Sequence, residues 1–174
     1  MSKKNILLIF GFGYTAKFMC QKFSKKNWEV FCTTRFKEKA KEIKSLNATP
    51  VFFDDEEKIE SILSKNSYIL STAPPENGKD PVIENYGYLF KKMSERIKWA
   101  GYLSTTSVYG DKKGGWVTED TVLEPNLERS VSRVAAEKSW LRFGENFSIK
   151  TMIFRLAGIY LSLIHISEPT RPMN

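Results

Sequence analysis

The residues best placed to do chemistry in this chain begin with Gly11-Phe12-Gly13-Tyr14-Thr15-Ala16, which follow the apolar run 6–10 and lead into a segment of helical pattern. A buried parallel strand that turns directly into a helix has this appearance. Gly11 permits the tight turn, and Gly13, lacking a Cβ, lets a pyrophosphate approach the backbone. The amides of the helix start, with the positive end of its dipole, then hold the phosphates. Ala16 stands at the third position of the G-x-G-x-x-G/A pattern, where helix and strand lie close. About twenty residues on, where an acidic side chain would hold the ribose hydroxyls of NAD, the chain has Thr33-Thr34-Arg35. An arginine there suits a 2′-phosphate and can stack on adenine, so the expected cofactor is NADP, with NAD as the alternative. Asp54 is a candidate acceptor for the adenine amino group, or else a helix N-cap. Ser71, Thr72 and Ala73, after a fourth strand, complete the expected cofactor contacts.

These residues need a scaffold of alternating elements. The pattern predicts a strand at 6–10, a helix at 14–26, a strand at 28–34, a helix at 36–46 and a strand at 49–53. A helix at 55–64, a strand at 67–71, a helix at 82–98 and a strand at 101–105 follow, then a helix at 128–143 and a strand at 148–154. Pro74 and Pro75 forbid a helix from starting directly after the fourth strand. Strands alternating with helices imply an α/β fold, a Rossmann-type doubly wound parallel sheet with helices on both faces. Right-handed crossovers bring the carboxyl ends of the strands to one edge, where ligands bind.

Composition narrows the class. A chain of 174 residues with 41% hydrophobic and 27% charged residues is one domain's worth of globular protein. The formal charge of +7 comes from scattered lysines without a recognition motif, so no nucleic-acid partner is expected. Cys20 and Cys32 have neither metal-like spacing nor a disulfide framework, so a reducing, cytoplasmic setting and no metal are expected. Lys3 and Lys4 before an apolar run resemble a secretory leader, but Lys17 interrupts that run early. No run approaches membrane-spanning length. The expected partner is a small-molecule substrate, and oligomeric state is not legible.

The GFGYTA turn, the LSTTSVYGD segment, Glu119 and Pro125 in TEDTVLEP, the helix ending in AAE and the RLAGIY strand together resemble the extended short-chain dehydrogenase/reductase superfamily. More narrowly, they resemble its NAD(P)-dependent epimerase/dehydratase group. The resemblance covers residues 4–160 and implies hydride transfer to or from a carbonyl or hydroxyl carbon, a sugar nucleotide being one such substrate. It implies that Thr105 hydrogen-bonds the substrate oxygen. It also calls for a Tyr-x-x-x-Lys pair on the following helix, in which the tyrosine exchanges a proton and the lysine lowers its pKa and binds ribose.

Here the chain departs from the pattern. Arg129 stands in the tyrosine's place and Arg133 in the lysine's. Their i, i+4 spacing keeps both on one helix face. Arg133 can imitate the lysine's charge, but a guanidinium does not give up its proton at working pH, so Arg129 cannot act as the acid. The candidate catalytic set is Thr105, Tyr109, Arg129 and Arg133, with Tyr109, Thr105 or a water supplying the proton. The alternatives are a dinucleotide-sensing or scaffold protein without turnover, in which the arginines hold an anion, and a fragment without function.

The last of these has a particular source. Residues 161–171, LSLIHISEPTR, look like a translated transposase-type sequencing adapter. The expected organisation is therefore a dinucleotide-binding domain at 1–160 and a non-native tail at 161–174, with the sheet incomplete and a C-terminal substrate-binding portion missing. On that reading His165, the only histidine, is not catalytic, and the sixth strand keeps an apolar edge.

Overall fold

A computed structural model describes residues 4–158. The segment expected to be adapter-derived, with His165, lies outside them. Six parallel strands form one sheet: β1 (Asn5–Phe10), β2 (Trp28–Thr34), β3 (Thr49–Phe52), β4 (Ser67–Ser71), β5 (Ile97–Thr105) and β6 (Thr151–Leu156). Their spatial order is β3-β2-β1-β4-β5-β6, so the winding direction reverses between β1 and β4. Five of the six β1 residues are buried, as expected of a central strand covered on both faces.

Five helices complete three layers: α1 (Tyr14–Phe23), α2 (Lys37–Ser45), α3 (Glu56–Leu63), α4 (Pro81–Lys92) and α5 (Glu128–Phe147). Ala16 and Cys20 of α1 and Ile43 of α2 pack with Leu7, Ile9, Val30 and Cys32 on one face of the sheet. On the opposite face Ile59 and Leu63 of α3, Phe90 of α4 and Trp140 of α5 pack with Leu8, Phe10 and Tyr102. The alternation of β1 side chains between these clusters is the period of two that a strand imposes.

The main departures from the sequence expectation have local causes. α1 stops at Phe23 rather than 26 because the Ser24 hydroxyl bonds the Cys20 carbonyl and also Leu46 O at 2.7 Å. α4 ends at Lys92, and a short 3₁₀ turn, Ser94–Arg96, feeds a β5 that begins four residues earlier than expected. Ile97 and Ala100 gain core burial there, which outweighs the helical pattern of that stretch. α5 runs one turn further, to Phe147, and closes on Ser148 in the left-handed region (φ 54°). Among the described residues β6 pairs only with β5 and forms a sheet edge, its Met152 half exposed.

Candidate functional site

The turn after β1 is held from both neighbouring strands. Gly11 N–H donates to Thr33 Oγ1 of β2 at 3.0 Å. Thr72, following β4, donates its hydroxyl to Phe10 O at 3.1 Å and to Gly11 O at 3.3 Å. Gly11 has φ +93°, and a Cβ there would lie 2.9 Å from Thr72 Oγ1 and 3.2 Å from Ala73 N. Only glycine fits that position. Gly13 differs: its backbone is ordinary and a Cβ would meet nothing within 4 Å, so the space beside it is open. Gly13 caps α1 without any side-chain hydrogen bond, which leaves the first-turn amides of Tyr14, Thr15 and Ala16 facing that space without intrahelical partners. Beneath the turn lie the buried free thiols of Cys20 and Cys32. Its hydrogen bond with Cys20 and burial push the Cys32 thiol up, and it donates to Gly11 O at 3.4 Å. These thiols act as packing groups.

Three clefts run along the carboxyl edge of the sheet. The first, of about 360 Å³, lies between the glycine turn, the end of β2 and the segment Thr72–Pro74. At its mouth the Arg35 guanidinium lies 4.8 Å from the Phe53 ring centroid and pairs with Glu76, at 2.6 Å from Nη1 and 3.4 Å from Nη2. Both partners are about half exposed. Asp54 is not in this cleft. It lies in a neighbouring hollow with Lys37, Phe52 and Asp55, on which Arg35 also borders. The N-cap of α3 is its neighbour Asp55, which accepts from Lys58 N at 3.0 Å.

The second cleft, of about 290 Å³, joins the first turn of α1 to the end of β5 and includes Ser104, Thr105 and Arg133. The third, of about 640 Å³, reaches from Pro74 and Asn77 across Thr105 to Arg129 and Arg133. Thr105 and Arg133 therefore border both. Arg133 is anchored by Nη1, which donates to Tyr102 Oη at 3.0 Å and to Leu103 O at 2.9 Å. Burial pushes the Tyr102 phenol up to about 12, partly opposed by the guanidinium. Thr105 Oγ1 accepts from Ser107 N at 3.2 Å, so its own proton remains to be given.

Tyr109 is the exception among the candidate catalytic residues. The 3₁₀ turn Thr106–Tyr109 carries its ring inward, and it borders none of the three clefts. Its hydroxyl accepts from Arg155 Nη1 at 2.8 Å. The same arginine binds the buried Glu137 carboxylate through Nε and Nη2 and reaches Glu119 O at 3.1 Å. Tyr109, expected to supply a proton beside Thr105, thus sits in a network that ties β6 and α5 to the turn after β5.

Three groups at this edge escaped the sequence reading. Glu76 comes from a loop and meets Arg35 only through the fold. Ser104 is buried with no hydrogen-bond partner for Oγ, yet borders the second cleft. Asp80 caps α4 through Val82 N and Ile83 N and accepts from Trp140 Nε1 at 3.1 Å. The Asp-Pro step at 80–81 was the available signal for that cap. Ser71 is likewise buried with an unpartnered hydroxyl, just behind Thr72.

Open space beside Gly13, unpaired amides at the start of α1, an unpartnered Ser104 hydroxyl and a strand reversal at β1/β4 fit a dinucleotide laid across that reversal. No protein-family model and no curated protein sequence matches the chain. Solved structures do. A conserved protein of unknown function from Silicibacter pomeroyi is 34% identical, with a TM-score of 0.81, over 90% of this chain and 54% of its own. UDP-glucuronic acid 4-epimerase from Bacillus cereus, in complex with NAD, is 24% identical with a TM-score of 0.66, over 89% of this chain and 57% of its own. dTDP-glucose 4,6-dehydratase from Bacillus anthracis, also in complex with NAD, is 20% identical with a TM-score of 0.66, over 87% and 54%. The last two likenesses concern the fold, and the chain spans about half the length of all three proteins.

Proposed function

We propose that this chain is the dinucleotide-binding part, residues 1–160, of an atypical NAD(P)-dependent oxidoreductase or epimerase of the extended short-chain dehydrogenase/reductase superfamily, epimerase/dehydratase group. The observation that carries the reading is the open, amide-lined space at Gly13, set where the sheet reverses its winding. The two enzymes of similar fold that hold NAD support the choice of cofactor class.

Each residue then has a task. The amides of Tyr14, Thr15 and Ala16 receive the pyrophosphate. Phe12, Thr72 and Ala73 border the adenosine side, Arg35 meets the adenosine ribose, and Asp54, in the adjoining hollow that Arg35 also borders, is the candidate acceptor for the adenine amino group. Ser104 and Arg133 border the nicotinamide side. When bound, the cofactor supplies or accepts the hydride. Thr105 donates its hydroxyl to the substrate oxygen, and the fixed charge of Arg133 favours negative charge on that oxygen as the carbonyl is reduced. Arg129 takes no part in proton transfer. The proton reaches the oxygen through Thr105 from water, a slower route than a tuned tyrosine provides. Carbonyl and hydroxyl compounds, sugar nucleotides among them, are the substrate class proposed, in a cytoplasmic setting.

A second reading is favoured by one observation, the engagement of the Tyr109 hydroxyl by Arg155. On it the protein binds the dinucleotide and does not turn over. NADPH and NADH oxidation across carbonyl and sugar-nucleotide substrates separates the two. Turnover that falls about 10²-fold in Thr105→Ala, with dinucleotide affinity retained, supports the enzyme. Dinucleotide binding with no oxidation of any substrate supports the sensor.

A further inference from the structure

Arg129 and Arg133 border the third cleft together, one helical turn apart, and among the described residues neither makes an ion pair. The partners of Arg133 are neutral, a phenol and a carbonyl, and both bind through Nη1, so Nε and Nη2 keep their donors. Glu128 is the single carboxylate on the cleft wall, so the wall's own side chains, two cations and one anion, carry one net positive charge, while the buried Asp80 carboxyl acts on Arg133 from outside the cleft. Thr105 forms the boundary shared with the second cleft.

We infer that the third cleft recognises a substrate carboxylate, held by the forks of Arg129 and Arg133 next to the carbon whose oxygen Thr105 contacts. The orientation toward Thr105 rests on the function proposed above; the carboxylate site itself does not. Planar guanidinium forks match a planar carboxylate through paired N–H···O bonds. A carboxylate brings one negative charge and balances the wall, whereas a phosphate dianion exceeds it. The substrate class is therefore a 2-oxo or 2-hydroxy acid, or a larger molecule carrying such a carboxylate near its reacting carbon.

The test is calorimetric titration of the 174-residue chain with pyruvate, lactate, lactamide and inorganic phosphate, with NADP and NAD titrated into the same preparation. The proposal requires that pyruvate or lactate bind at least tenfold more tightly than lactamide and phosphate. Arg129→Gln, at an exposed helix position where folding is not at stake, must lower that affinity at least tenfold, and Arg129→Lys must recover part of it. Equal binding of lactamide, tighter binding of phosphate, an unchanged affinity in Arg129→Gln or no carboxylate binding each overturns it. Carboxylate binding that depends on Arg129 in a protein that takes up neither dinucleotide sustains this site while removing the cofactor reading, so the two fail separately.

Discussion

Arg35 donates to Glu76 across the mouth of the first cleft, with Nη1 2.6 Å from Oε1, although the two are 41 residues apart in the chain. The arginine that would select a 2′-phosphate thus already faces a carboxylate, and the missing acid at the end of β2 is supplied from another loop. Glu76 can accept from ribose hydroxyls, and it must yield before a 2′-phosphate takes the fork. Replacing it releases a half-exposed ion pair worth about 0.2–1 kcal/mol. Glu76→Gln is expected to tighten NADP binding by up to about fivefold while NAD binding holds or weakens, and Arg35→Ala to weaken NADP alone. Competitive titration of both dinucleotides into the three proteins checks this.

The two glycines of the turn should respond in opposite ways. Gly11→Ala places a Cβ against Thr72 in a backbone region alien to L side chains, and is expected to cost about 1–3 kcal/mol of stability. Gly13→Val costs only about 1 kcal/mol, for a poorer N-cap, because its side chain enters open space. That same space is where the pyrophosphate is to lie. Urea denaturation beside dinucleotide titration should find Gly13→Val folded and unable to bind.

Glu137 is buried and Arg155 partly so, and their bidentate contact joins α5 to β6. Arg155→Met strands a buried carboxylate and is expected to cost about 3–5 kcal/mol. Glu137→Gln keeps one acceptor for the guanidinium and should cost less. Denaturant midpoints of the two variants give the order.

Burial raises the Asp80 carboxyl above its ordinary value, against the pull of two backbone amides, the Trp140 indole and Arg133. A carboxyl raised in the folded state holds its proton more firmly there than in the unfolded chain, so stability declines as pH rises from the ordinary aspartate range through the folded-state value. Asp80→Asn removes that titration while Oδ1 still caps α4. The stability difference, wild type minus Asp80→Asn, should therefore shrink as pH rises across that window and then level off. A difference that grows with pH would place the carboxyl on the opposite side of its ordinary value.

The sheet, its helices and the glycine turn were legible because periodicity and glycine spacing are local signals. Residues 67–71 read as a strand and form β4 with those bounds. Boundaries failed where burial competes with local pattern, as at Ile97, and where one hydroxyl ends a helix, as at Ser24. The first cleft was half legible: Arg35 follows from its distance to the glycines, but Glu76 is brought to it by the fold alone. Tyr109 lies four residues from Thr105, and chain proximity says nothing about which way a 3₁₀ turn carries a ring. Arg129 and Arg133 could be paired in advance because i, i+4 spacing fixes a helix face whatever the surroundings.

Amide hydrogen exchange at Tyr14, Thr15 and Ala16, measured with and without saturating NADP or NAD, tests the central claim most directly. Bound pyrophosphate is expected to slow exchange at these three amides at least tenfold in the wild-type protein and to leave Gly13→Val unaffected. Unchanged exchange at all three in the presence of both dinucleotides would contradict a phosphate-binding turn and leave a doubly wound α/β domain without a cofactor.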